Sequence, residues 1–130
     1  MFYSPTVKKQ CLINKGIECI LGSSSDKTFG LTVMFGLEGI FVEVLKDVSF
    51  RVAPICRSTA GEMIREIKGY PLIDGARGQV PCDKGALAEA MERLCLLVAE
   101  LLEIAEVDLN PVLAHEDSMT IVDARMVLKN

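Results

Sequence analysis

The segment Ala105-Glu106-Val107-Asp108-Leu109-Asn110-Pro111 alternates apolar and oxygen-bearing side chains. A period of two is that of a half-buried β-strand, so Val107 and Leu109 are expected on a core face and Glu106, Asp108 and Asn110 on the other. Pro111 has no N–H to give to a ladder, and is expected to end the strand. A second strand is expected over about Met119 to Arg125, placing Asp123 beside Asn110 if the two form a hairpin. Upstream, Leu87, Ala90, Met91, Leu94, Leu97, Val98 and Leu101 recur at helical spacing behind Asp83, a residue suited to capping a helix start. An earlier helix is expected to open at Thr59-Ala60-Gly61-Glu62, which has capping-box spacing, to bury Met63, Ile64 and Ile67 and to end at Gly69. Tyr70 to Pro81 reads as a longer connection.

Before that helix lie four short β-rich runs: Gly16 to Gly22, Leu31 to Phe35, Ile40 to Leu45 and Ser49 to Ala53, the last stopped by Pro54. Ser23-Ser24-Ser25-Asp26 has the composition of a loop. The order strands, two helices, strands predicts an α+β fold with a mixed or mostly antiparallel sheet and two helices packed on one face. A chain of 130 residues is one domain's worth, and its 50% hydrophobic and 25% charged residues are ordinary globular usage.

Fourteen Lys and Arg against eighteen Asp and Glu leave a net charge of −4. That balance argues against nucleic acid or an anionic membrane as the main partner, because no cationic excess displaces counterions. No apolar run has the ~20 residues of a membrane helix, and Met1 to Gln10 lacks the apolar segment of a secretory signal. The chain reads as soluble and cytoplasmic. Cys11, Cys19, Cys56, Cys82 and Cys95 are odd in number and lack a C-x-x-C pair, so neither a zinc site nor a disulfide framework is expected. His115 sits in a polar turn, and the absence of a second histidine leaves a hydrolase using a His base with little support.

Three oxygen-bearing side chains in a row are costly to bury unpaired, so the Glu106, Asp108 and Asn110 face must meet water, cations or a metal. With Asp123 they form a set of hard oxygen ligands of the kind Mg²⁺ takes, completed by phosphates and water. On spacing alone, a solvated sheet face is the simpler reading.

The same run, an acidic strand ending in Asn-Pro with an Asp on the next strand, resembles the end of the ATP-grasp fold. The likeness is to the ATP-grasp region of nucleoside-diphosphate-forming acyl-CoA synthetases, the group that holds ADP-forming acetyl-CoA synthetase and relatives of succinyl-CoA synthetase. Gly16-Ile17-Glu18, Asp26 with Phe29-Gly30, Met34 to Pro54, Met63 to Pro71 and Gly75-Ala76-Arg77-Gly78 continue it in family order, from about Lys15 to Leu128. The resemblance implies a C-terminal ATP-grasp lobe over residues 15–130, behind an N-terminal extension of residues 1–14. It implies Mg²⁺ and ATP or ADP as cofactors, and phosphoryl transfer through an acyl phosphate and a phosphohistidine. By similarity Asn110 and Asp123 match the Mg²⁺ ligands, with Glu106 and Asp108 in support. Arg51, Arg77 and Arg125 are candidates for cationic contacts to phosphate, a surface ion pair being an equal reading for each. No catalytic residue is assigned.

Two departures stand out. Gly36-Leu37-Glu38-Gly39 replaces the family's Gly-Leu-Gly-Gly, adding a negative side chain where phosphate would approach. The family's preceding lobe, with its lysine and adenine-contacting segment, and its CoA-binding and phosphohistidine parts are not expected within these 130 residues, whether they are a fragment, a split gene product or a remnant. The expectation is half of a nucleotide cleft, inactive alone, whose partners are that lobe and a CoA-binding, phosphohistidine-bearing subunit or domain. The alternative is a non-catalytic binding or scaffold module that self-associates through the surface such a lobe would cover.

Overall fold

A computed structural model of the chain describes residues 16–26, 28, 30–37 and 47–130. β1 (Ile17–Asp26) is the strand about which the sheet is built. It pairs antiparallel with β2 (Gly30–Leu37) on one side and with β4 (Ile104–Ala114) on the other. β3 (Asp47–Val52) adds beyond β2, while β5 (Met119–Ile121) and β6 (Ala124–Leu128) both lie along the outer side of β4. Between β3 and β4 come α1 (Arg57–Glu66), the short α2 (Tyr70–Ile73), a 3₁₀ turn (Ala76–Gly78) and α3 (Lys84–Glu100). Every strand pairing is antiparallel, and the helical layer packs on one face, as the α+β reading expects.

One alternate set of strand residues meets the helices. Cys19 and Leu21 of β1, Val33 and Phe35 of β2, and Val107, Leu109 and Val112 of β4 are buried against Met63 and Ile64 of α1 and Leu87, Met91, Leu94 and Val98 of α3. Each large side chain so buried contributes about 1.5–3 kcal/mol. The stripe read along α3 is this contact, and Asp83 caps the helix as expected, its Oδ1 accepting the Ala86 N–H at 3.0 Å. Among the described residues no helix is long and apolar enough to cross a membrane.

Several boundaries differ from the sequence reading. Ser23 to Asp26 are strand, not loop, because each residue pairs with β2, from Ser23 opposite Val33 to Asp26 opposite Gly30. The hydroxyls reinforce that pairing: Ser23 Oγ donates to the Thr32 carbonyl at 2.9 Å, and Ser24 Oγ lies 3.2 Å from Thr32 Oγ1. Helix α1 begins before Thr59, since the Ala60 N–H already closes a turn on the Cys56 carbonyl at 3.0 Å; Cys56, not Thr59, is its N-cap. Its last turn ends at Glu66, ahead of Gly69. Pro111 does not stop β4, which runs on to Ala114. The β1–β4 register shifts between Cys19 and Leu21, opposite Asn110 and Pro111, so the missing N–H falls where the ladder is already interrupted. The strand expected over Met119 to Arg125 is broken into β5 and β6, and the connection after Gly69 contains α2 and the 3₁₀ turn. The expected strand at Ile40 to Leu45, with Glu38, Gly39 and Cys11, lies outside the described residues.

The joint between α1 and α2 is held by Asp47 at the start of β3. Its two carboxylate oxygens accept the Lys68 and Gly69 N–H groups at 2.7 and 2.6 Å, supplying partners to backbone donors that the helix end leaves unpaired. Gly69 suits this joint because a Cβ would crowd Leu37 Cδ1 and stand 3.0 Å from Asp47 Oδ2, so both side chains would have to shift. Gly36 has a like role: a Cβ would stand 2.5 Å from Val48 Cγ1 and 2.8 Å from the Asp47 carbonyl, so β2 and β3 approach only over a glycine. Gly61 differs, for its nearest neighbour is the flexible Arg65 guanidinium at 3.4 Å on helix α1. Urea unfolding separates the two cases: Gly69→Ala is expected to cost about 1–3 kcal/mol through overpacking, whereas Gly61→Ala is expected to gain about 0.5–1 kcal/mol through helix propensity. An unchanged midpoint for Gly69→Ala would show that the joint has slack. Asp47→Ala, which leaves two N–H groups without their acceptor, is expected to cost about 1–3 kcal/mol by the same measurement.

Candidate functional site: the helix-free face of the sheet

The strand residues that do not face the helices form the opposite, open face. Register places them in rows. Phe50, Met34, Gly22, Asp108 and Arg125 follow one another from β3 to β6, each opposite the next. The neighbouring row is Val52, Thr32, Ser24, Glu106 and Val127. Part of these rows, Ser24, Thr32, Met34, Phe50, Glu106 and Asp108, lines a shallow concavity of about 430 Å³ in which Gly22 leaves the floor without a side chain; Arg125 borders the groove beside α3 instead. Phe50 is 57% exposed beside Met34 on that face.

The predicted alternation on β4 holds. Val107 and Leu109 are buried, Asp108 and Asn110 are half-buried, and Glu106 is exposed. Asn110 and Asp123 come together through the backbone: the Asn110 N–H donates to the Asp123 carbonyl at 3.1 Å, and the Val122 N–H to the Pro111 carbonyl at 3.0 Å. One carboxylate oxygen of Asp123, Oδ1, accepts the Ala124 N–H at 2.9 Å. Among the described residues no three His, Cys, Asp or Glu side chains converge closely enough to hold a metal ion by themselves. The donor set at this junction is therefore an amide, one carboxylate already carrying a hydrogen bond, and nearby Asp108. Those hard oxygens fit a cation that brings phosphate and water ligands with it, not one caged by protein alone.

The three arginines separate. Arg125 lies directly opposite Asp108 and two residues from Asp123, and among the described residues its guanidinium makes no hydrogen bond or ion pair. Arg51 stands at the other edge of the sheet, opposite buried Val33 and so on the helix-bearing face. It forms a two-pronged pair with Glu66 at 3.0 and 2.6 Å; the pair raises the Arg51 pKa and holds the Glu66 carboxyl below its ordinary value. Arg77 has its backbone in the 3₁₀ turn, and its side chain is not among those described. His115 has a structural position at the β4–β5 turn: its carbonyl accepts the Asp83 N–H at 2.7 Å, and its Nε2 lies 3.0 Å from Thr120 Oγ1.

Ser24, Thr32, Met34 and Phe50 were not picked out in the sequence. The run Cys19-Ile20-Leu21-Gly22-Ser23-Ser24 has no apolar–polar alternation of the kind seen along β4, so its open-face set was not legible in the sequence.

The ATP-grasp domain family matches residues 2–128 of this chain, and the chain belongs to that family. It is 58% identical over 113 residues to subunit beta of the ADP-forming acetate–CoA ligase I of Pyrococcus furiosus, covering 87% of this chain and 49% of that subunit. It is 47% identical over 119 residues to ADP-forming acetate–CoA ligase I of Archaeoglobus fulgidus, covering 92% of this chain and 17% of the relative. The acetyl-coenzyme A synthetase 1 of Ca. Korarchaeum cryptofilum, solved with coenzyme A and Mg-AMPPCP, superposes with a TM-score of 0.83 at 45% identity, over 98% of this chain and 55% of that one. The chain thus spans about half the length of the Pyrococcus subunit, and carries part of an ATP-grasp domain.

The four described cysteines differ in exposure: Cys19 and Cys95 are buried, Cys82 is intermediate and Cys56 is exposed. Hydrogen bonding from the Ser58 and Thr59 hydroxyls lowers the exposed Cys56 thiol to about 6, while burial, with Cys82 nearby, pushes Cys19 up to about 12. Alkylation with iodoacetamide, read by peptide mass spectrometry, is expected to label Cys56 first, with its rate rising through about pH 6. Because the folded thiol ionises below the ordinary value, its ionisation favours the folded chain above pH 9 and that contribution fades as pH falls towards 6. Equal rates for Cys56 and Cys95 at pH 7 would contradict this assignment.

Proposed function

We propose that this chain supplies the Mg-nucleotide-binding wall of an ATP-grasp cleft, the C-terminal lobe of an ADP-forming acyl-CoA ligase of the acetate–CoA type. The observation that carries the proposal is the β4–β6 junction, where Asn110 and Asp123 are joined backbone to backbone beside Asp108 and an Arg125 that has no ion pair among the described residues, on the face of the sheet opposite the described helices. The similarity to acetate–CoA ligases and to a synthetase solved with Mg-AMPPCP supports this reading. Asn110 and Asp123 would hold the metal, with Glu106 and Asp108 orienting the water around it. A bound Mg²⁺ would supply charge neutralisation to the phosphates. Arg125 contributes a fixed positive charge to the same phosphates, and the row of Gly22, Met34 and Phe50 offers a flat surface on which the rest of a nucleotide can lie. Arg51 is committed to Glu66, and in this proposal it shapes the edge of the lobe without touching phosphate.

In this reading the other wall, the CoA-binding part and the phosphohistidine come from partner domains or subunits, the reaction takes place in the cytoplasm, and the chain alone does not turn over. A second reading, a fold kept as a binding or scaffold module without nucleotide chemistry, is favoured by the Asp123 oxygen already engaged with Ala124.

Calorimetric titration of the isolated chain separates the two. Mg-ADP and Mg-ATP are expected to bind with dissociation constants of about 1 mM, roughly 4 kcal/mol of affinity. Asp123→Ala is expected to abolish saturation, and Arg125→Ala to weaken binding about tenfold, about 1.4 kcal/mol. Silence at millimolar nucleotide, or binding that Asp123→Ala leaves untouched, would favour the scaffold.

A further inference from the structure

We draw no further inference here: the strongest candidate, the apolar groove of about 770 Å³ between α3 and the β5–β6 edge, lined by Leu94, Leu97, Ile121 and Met126, carries nothing because nothing in the structure shows what covers it.

Discussion

A sheet covered by helices on one face only has a single constraint to satisfy: each strand must send one alternate set of side chains to the helices and the other away from them. β1 enforces it, since it pairs with β2 and β4 at once. Cys19 and Leu21 lock it to the core, and sliding either neighbour by one residue would expose Val33 and Phe35, or Val107 and Leu109, and bury the acidic set instead. Several large side chains would then be exposed at about 1.5–3 kcal/mol each, which is comparable to the whole stability of a domain this size. The register that preserves the core is therefore the one that aligns Phe50, Met34, Gly22, Asp108 and Arg125 on the open face.

The same constraint sorts the charges. Arg51 and Arg125 occupy strands at opposite edges of the sheet, and parity sends them to opposite faces. On the helix side Arg51 finds Glu66 of α1, and each holds the other charged. Outside, Arg125 has Asp108 across the ladder and no ion pair with it among the described residues. A guanidinium that is free but held beside carboxylates on a stiff strand is better placed to meet an incoming phosphate than one already closed on a carboxylate, because no existing bond has to break first.

What the sequence showed and what it hid divide along locality. The α3 stripe and the β4 alternation are periodic within one segment, so their faces were legible without knowing any partner. Asn110 and Asp123 were legible as neighbours because a hairpin is a short-range structure, although its interruption at Val122 and Asp123 was not. The serines of β1 became strand only because Thr32 and its neighbours on β2 satisfy them, a fact about another segment. Pro111 stayed within β4 because Asn110 and Pro111 together face the single residue Ile20 of β1, a register irregularity that only the pairing with another strand defines. The early start of α1 follows from a backbone bond to Cys56, which is not a favoured capping residue. Arginine roles were the least legible, since they depend on sheet order and parity together.

The proposed site also explains why its metal and its nucleotide would come as one ligand. Hydrated Mg²⁺ gives up water reluctantly, and here the protein offers one neutral amide oxygen and a carboxylate that shares Oδ1 with the Ala124 N–H. Exchanging water for those two groups alone returns little of the cost of losing it. Phosphate oxygens already on the ion change the balance, because Asn110 and Asp123 then need replace only the remaining waters while Arg125 meets the phosphates directly. A wall of this kind reads the metal–phosphate complex and neither component separately, so the chain's affinity for nucleotide should fall with the metal and its affinity for metal should rise with the nucleotide. That mutual dependence is what the proposed reading expects of one wall of a cleft, whose opposite wall would complete the grip on the base and sugar.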